Sequence, residues 1–257
     1  MVKMHKVDLS HVDFVFFDKG GTLGGSVPQE DGGVAKAKEL IALLGYSEAP
    51  EDFIKKVNSR QKKYKAWSLE TCYEETVEKM CSDWLYFDAP NQDVIKERAD
   101  EIIIMTTHMK GRRYMCPEAA HVVGTIRDRG YRVGLISNTV SPTMVPRELE
   151  NAGLDKLFEV VVMSSVERLR KPDPAIFTLA CERAGIDPSR CAYIGDAPNR
   201  DVEGPRRAGF DSVVIIAGAN YNPESDIGPM REPDAVVDTL EDLFELFPAK
   251  GGCCCAQ

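Results

Sequence analysis

No apolar run in this 257-residue chain approaches the ~18 residues a membrane-spanning helix needs, so no span is expected. Met1 to Val12 alternate charged and polar side chains and lack the apolar stretch of a signal peptide. The eight cysteines, at 72, 81, 116, 181, 191, 253, 254 and 255, form no Cys-x-x-Cys pair and no disulfide-framework spacing. Several lie within apolar segments, where cysteine acts as a small hydrophobe, and a reducing cytoplasmic setting is expected. Walker A, HExxH, GxSxG and GxGxxG patterns are all missing, which removes the commonest nucleotide-binding, metalloprotease and serine-hydrolase signatures. An excess of positive charge is missing too. With 32 Lys and Arg against 41 Asp and Glu, the net charge of −9 argues against broad nucleic-acid binding, which relies on neutralising phosphates.

What remains is an ordinary soluble composition, 43% hydrophobic and 28% charged, in a chain long enough for one large core plus an insert. Its organising stretch is Val12-Asp13-Phe14-Val15-Phe16-Phe17-Asp18-Lys19-Gly20-Gly21-Thr22-Leu23. Val15, Phe16 and Phe17 form a continuous apolar run, as a strand covered on both faces of a parallel sheet requires. The run stops at a carboxylate, a glycine pair that permits a tight turn, and a hydroxyl. Ligands of open α/β sheets bind at such carboxyl ends. Alone, Asp18 is as easily a loop cap as a nucleophile or metal ligand.

Three later stretches shift that balance. Val133-Gly134-Leu135-Ile136-Ser137-Asn138-Thr139 is a second buried strand, ending in small hydrogen-bonding groups. Lys171-Pro172-Asp173-Pro174 sets a cation just ahead of a helix start. Cys191-Ala192-Tyr193-Ile194-Gly195-Asp196 is a third buried strand ending in Gly-Asp, with Asp201 soon after.

Between these anchors the texture changes twice. From Gly25 to about Arg113 apolar residues recur at helical spacing, as in Phe53, Val57 and Tyr64, then Tyr73, Val77, Met80 and Trp84, then Val94, Ile95, Ile102 and Met105. No convincing strand is visible there, and a helical bundle is expected. From Pro117 onward strand and helix patterns alternate through Ala235-Val236-Val237, which indicates right-handed βαβ units and a parallel sheet. The expected fold is therefore α/β, a doubly wound parallel sheet built from 1–24 and 114–250, with a helical insert at 25–113. Residues 251–257 read as a disordered Cys-rich tail ending in a loose Cys-a-a-X pattern. The basic residues Lys55, Lys56, Arg60, Lys62, Lys63 and Lys65 surround much of one helix and read as a solvated face.

The order of strand-end Asp18, Ser137, Lys171 and Asp196 with Asp201 resembles the four motifs of the haloacid dehalogenase-like hydrolases, from Val12 to about Gly218. The resemblance implies a Rossmann-like core with a helical cap. It implies that Asp18 attacks phosphorus and that a phospho-aspartyl intermediate follows. Asp18, the Gly20 carbonyl and Asp196 would hold Mg²⁺, a hard cation suited to oxygen ligands. Lys171 would balance the nucleophile and the phosphoryl oxygens. Ser137, Asn138 and Thr22 would contact substrate, and Asp201 would stand behind, orienting metal waters or Lys171. A small phosphorylated metabolite is the implied partner, with no nucleic acid or membrane, and a monomer or homodimer is expected.

One position departs from the pattern. Phosphatases of this family usually carry a second Asp two residues after the nucleophile, as acid and then base, and here Gly20 stands there. General acid–base assistance is worth ~10²–10⁴ in rate, so its loss weighs on alkyl esters and little on leaving groups that depart well as anions. The rival readings are a phosphonate or acyl-phosphate hydrolase and a catalytically weakened binding or regulatory protein. Dehalogenase activity is disfavoured, because the tyrosine that such enzymes carry at this position is absent.

Overall fold

The computed structural model describes residues 7, 9–218, 221 and 230–251. Most of the Cys-rich tail and most of the first eight residues lie outside that set. Six strands form one parallel sheet: β1 (Phe14–Phe17), β4 (Arg132–Ser137), β5 (Val160–Met163), β6 (Cys191–Gly195), β7 (Ser212–Ile216) and β8 (Ala235–Val237). Their order is β5-β4-β1-β6-β7-β8. The chain thus winds outward from β1 in one direction and then in the other. Phe17 sits in register with Leu135 of β4 and Ile194 of β6, so three strands deliver their next residues to one crevice. That crevice is the switch point where open α/β sheets bind ligands.

Strand alternation explains why the central runs are continuously apolar. Val15 and Phe17 join Val133, Leu135 and Ile194 in a core closed by Val122, Val123 and Ile126 of the helix Ala119–Asp128. Phe14 and Phe16 face the other way, with Ile136 and Tyr193, against Ile176, Phe177 and Ala180 of the helix Pro174–Ala184. Each face therefore needs its own apolar set, and period-two patterning disappears. The Pro174–Ala184 helix begins where Asp173 accepts a hydrogen bond from Ala175 N at 2.9 Å.

Between β1 and β4 lie helices Val34–Leu44, Pro50–Thr71 and Gln92–Lys110, with a shorter helix, Val77–Lys79, running into a π-helical turn, Met80–Leu85. Leu40, Leu44, Phe53, Val57, Ile95 and Ile102 belong to a separate hydrophobic cluster, so the block has a core of its own. The longest helix, Pro50–Thr71, has 22 residues, and no helix among those described is long and apolar enough to cross a membrane.

The expectation of a purely helical insert is corrected at both ends. β2 (Gly24–Pro28) and β3 (Gly111–Met115) form an antiparallel ribbon in register from Gly24–Met115 to Pro28–Gly111. Neither Gly-Gly-Ser-Val-Pro nor Gly-Arg-Arg-Tyr-Met has the composition of a strand, and each finds its partner only at the far end of the block. Gly24 cannot be replaced cheaply, because a Cβ there would lie 2.4 Å from the Tyr114 carbonyl oxygen. Tyr73, expected within the third helix, instead forms a bridge with Leu169.

That bridge belongs to a docking of the helical block onto the sheet domain. Arg170 N donates to Cys72 O at 3.0 Å, and Glu74 N donates to Arg168 O at 3.2 Å. Glu74 is fully buried and accepts from Tyr64 OH at 2.5 Å, Ser164 Oγ at 2.8 Å and the Arg170 guanidinium. Asp100 reaches across in the same way, accepting from Ser141 Oγ and Thr143 Oγ1, both at 2.5 Å. Truncating a buried ion-pair partner strands the opposite charge and costs ~3–5 kcal/mol. Glu74→Ala is therefore expected to lower the free energy of urea unfolding by about 3 kcal/mol or more, while Glu74→Gln, which keeps an acceptor, costs less. Equal unfolding curves for Glu74→Ala and the parent chain would show that this contact does not hold the two parts together.

Candidate active site

Lys171 occupies the centre of the crevice. Its Nζ donates to Asp18 Oδ1 at 2.7 Å, Tyr193 OH at 2.7 Å and Asp201 Oδ1 at 2.8 Å. An ammonium has three protons, and all three are used. The side chain is 1% exposed, so the charge is compensated by these partners and not by water. Asn138 holds the lysine's backbone from both sides, with Nδ2 donating to Lys171 O at 3.0 Å and Oδ1 accepting from Lys171 N at 2.9 Å. The Asn138 side chain, expected to touch substrate, is thus committed to the Lys171 backbone.

Asp201 completes the frame. Its second oxygen, Oδ2, accepts from Asp196 N at 3.3 Å and Ala197 N at 3.1 Å, so both oxygens are bound to the protein. Gly195 makes this approach possible, since a Cβ there would stand 2.3 Å from Asp201 Cβ. Asp18, Asp196 and Asp201 each place a carboxylate oxygen within 4.8 Å of the others. Arg200 lies 3.5 Å from Asp196 Oδ1. Three buried carboxylates thus meet two cations, Lys171 and Arg200.

The protonation pattern follows from that imbalance. Burial, opposed by Lys171 and reinforced by the charge of Asp201, pushes the Asp18 carboxyl above the ordinary carboxylate range. Burial acts on Asp201 in the same sense, but Lys171 and Arg200 outweigh it and pull that group down. Burial and the charges of Asp201 and Asp18 raise the Tyr193 phenol well above its usual value, so it stays protonated and donates to Ile136 O at 3.2 Å.

Ser137 ends β4 and is buried at the same level of the sheet. Thr22 is 3% exposed and its Oγ1 has no hydrogen-bond partner among the described residues. Lys19 turns away from this cluster. It is buried and paired with Glu148, which Arg113 of β3 also holds, and burial together with Arg113 lowers its pKa. Tyr193, Arg200 and the Lys19–Glu148–Arg113 group were not singled out from the sequence. A tyrosine inside an otherwise apolar strand was a usable signal for the first, whereas the others depend on contacts between distant segments.

The two glycines of the loop after Asp18 have opposite constraints. At Gly21, φ is +93° and a Cβ would stand 1.8 Å from Asp196 Oδ2, whereas at Gly20 nothing lies within 4 Å of that position. Gly21→Ala is expected to lose ~1–3 kcal/mol from backbone strain alone, besides displacing Asp196. Gly20→Ala is expected to stay within ~0.5 kcal/mol of the parent chain. Chemical denaturation of the two variants checks this, and equal losses would contradict the loop geometry.

The chain is similar in sequence to curated phosphatases and in fold to solved structures. It is 34% identical over 148 residues to a phosphoserine phosphatase of Thermus thermophilus, covering 58% of this chain and 57% of that protein. It is 31% identical over 138 residues to a phosphoglycolate phosphatase of Escherichia coli, covering 54% and 52%. The chain therefore spans little more than half the length of these curated relatives. Among solved structures, a 2-haloacid dehalogenase of Pseudomonas syringae pv. Tomato superposes with a TM-score of 0.65 at 23% identity, covering 91% of this chain and 97% of that one. A HAD phosphatase of Thermococcus onnurineus gives 0.57 at 22% identity, covering 93% and 99%. At such identity the structures speak for the fold alone. Residues 12–209 match the haloacid dehalogenase-like hydrolases, and the chain belongs to that family.

Proposed function

We propose that this chain is a Mg²⁺-dependent phosphohydrolase that works through a phospho-aspartyl intermediate on Asp18. The observation that carries this reading is the buried Lys171 bound at once to Asp18 and Asp201, with Asp196 beside them. The donor set fits a hard divalent cation, because it offers carboxylate oxygens that outnumber the cations around them. Asp18 and Asp196 would hold the ion with the Gly20 carbonyl, and the bound ion would offset the repulsion between carboxylate and phosphate.

Asp18 Oδ1 is engaged by Lys171, so Oδ2 is the oxygen that attacks phosphorus. A P–O bond to Asp18 forms as the bond to the leaving oxygen breaks, and water then cleaves the acyl phosphate to return the carboxylate and inorganic phosphate. Lys171 favours the ionised form of Asp18 against the burial that raises its pKa, and fixes its rotamer, while Asp201 and Tyr193 fix Lys171. Ser137 and Thr22 supply hydroxyl donors for phosphoryl oxygens. The phosphatases among the relatives support a small phosphorylated substrate.

Gly20 shapes which substrates react. Gly20 carries no side chain, and nothing lies within 4 Å of where its Cβ would be, so this position provides no acid for the leaving oxygen and no base for water. Good leaving groups, as in acetyl phosphate or aryl phosphates, should phosphorylate Asp18, and the intermediate should accumulate. Gly20→Asp, which the open space accommodates, should raise alkyl-ester turnover by ~10²–10⁴. Rapid-quench labelling and steady-state rates across a leaving-group series test this, with Asp18→Asn as the unlabelled control. Fast alkyl-ester hydrolysis with Gly20 in place, and no gain from Asp, would place the acid elsewhere. If no phosphoryl compound labels or turns over, the chain is a binding protein on a hydrolase fold.

The metal reading has its own test. Asp196→Ala should abolish calorimetric Mg²⁺ binding, or weaken it by at least ~10-fold, and turnover should fall with it. Unchanged Mg²⁺ affinity in that variant would remove Asp196 from the ligand set.

A further inference from the structure

Lys19 is a buried charge that the proposed chemistry leaves unused. It follows Asp18 directly and is 1% exposed. Whereas Asp18 meets Lys171, the next side chain pairs with Glu148 of the helix Met144–Asn151, the helix whose Val145 and Leu149 share a core with Phe17. Arg113 of β3 holds the same carboxylate twice, Nε donating to Oε1 at 2.5 Å and Nη2 to Oε2 at 3.2 Å. Two cations therefore share one carboxylate, which the bidentate Arg113 would balance alone. For stability an apolar side chain at position 19 would serve as well, because burying an ammonium sacrifices its hydration.

The main chain of Lys19 is as firmly engaged as its side chain. Its carbonyl oxygen accepts from Leu23 N at 3.0 Å and from Gly24 N at 3.1 Å, while Gly21 N donates to Gly24 O at 2.6 Å. These bonds close the loop on itself, with Gly20 bridged to Gly24. Gly24 opens β2, and two residues further along the ribbon Ser26 lies opposite Arg113. Lys19 thus grips β2 through its carbonyl and meets β3 through Glu148 and Arg113. Asp18 stands on one side of this residue and Gly20 on the other, so fixing Lys19 fixes the peptide units of both. Without the side-chain tie, the loop would rest on its own internal bonds and on Asp18 N, which donates to Ile194 O at 2.8 Å.

We propose that Lys19 is a positioning residue for Asp18 and the Gly20 carbonyl. It ties the loop that carries them to the helix Met144–Asn151 and, through Glu148 and Arg113, to the ribbon at the base of the helical block. The proposal rests on the phosphohydrolase reading of Asp18 and adds to it a residue that touches no substrate. The excess cation is then explained by where it holds the loop and not by any gain in stability.

Lys19→Met in the full chain tests it, because the substitution strands no carboxylate and leaves the Arg113–Glu148 pair whole. Urea unfolding should show no loss of stability. Without metal, hydrogen exchange at the Leu23 and Gly24 amides should be about ten-fold faster than in the parent chain, as the loop opens more readily. With saturating Mg²⁺, labelling of Asp18 by acetyl phosphate should slow by about ten- to a hundred-fold, the range for groups that orient a metal site from behind. The acetyl phosphate concentration giving half the maximal rate should change little. Lys19→Arg, which keeps a cation opposite Glu148, should retain most of the labelling. Labelling at the parental rate in Lys19→Met overturns the assignment. So does a loss of stability in step with labelling, or equal failure of folded Lys19→Arg and Lys19→Met. The exchange measurement needs no turnover, which separates the two readings. If exchange quickens while neither protein labels, the tie is supported and the phosphohydrolase reading fails. If both proteins label alike, the positioning role fails and the phosphohydrolase reading stands.

Discussion

Everything at the crevice depends on one ammonium group held out of water. Lys171 exchanges its hydration for Asp18, Asp201 and Tyr193, and every proton it carries has a protein acceptor. Removing two or three charges from water costs several kcal/mol each, and a buried pair of this kind often adds no net stability. Such an arrangement is costly scaffolding if stability is its only purpose. Its consequence is instead positional: one carboxylate at the end of β1 and another beyond β6 are fixed relative to each other through a cation from a third segment. The reciprocal clamp by Asn138 serves the same end, because it removes the freedom of the Lys171 backbone.

The sheet makes that convergence possible. Strands β4 and β6 flank β1 in register, so residues far apart in sequence emerge side by side at the carboxyl edge. Both faces of the sheet are filled, which holds the edge rigid, whereas the helical block keeps a core of its own. Moving the block would expose little of the sheet's apolar surface. It would, however, break the Glu74 and Asp100 contacts, and Glu74 pairs with Arg170, the residue before Lys171. The position of the block and the position of the ammonium are therefore linked by one peptide unit.

The parts of this structure that were legible in the sequence share a property. Strands β1, β4 and β6 and the helix Pro174–Ala184 announce themselves locally, through apolar runs that end at Asp18, Ser137 and Gly195 and through the Asp173–Pro174 start. Of the residues in the order Asp18, Ser137, Lys171, Asp196 and Asp201, Asp18, Lys171, Asp196 and Asp201 come together in the structure. What could not be read is what depends on distant pairing. The β2–β3 ribbon joins two glycine-containing segments of poor strand composition, and only their proximity at the base of the helical block makes them strands. Glu74 lies among acidic neighbours in a polar stretch, and nothing local marks it as fully buried. The contrast between Gly20 and Gly21 was equally hidden, since it rests on where Asp196 comes to lie.

The glycine at position 20 also bears on the charge balance. The cluster already holds Asp18, Asp196 and Asp201 against Lys171 and Arg200, and burial raises the Asp18 carboxyl. A further carboxylate two residues from Asp18 would add to that negative excess and favour protonation of one member of the group. In a phosphatase with an acid there, that protonation is useful, because the proton goes to the leaving oxygen. Without it, the carboxylates that remain rely on Lys171 and Arg200 for charge compensation. Proton donation and charge excess are thus two aspects of the same residue. With glycine at position 20 both contributions are absent, and the negative excess of the cluster is limited to Asp18, Asp196 and Asp201 against Lys171 and Arg200.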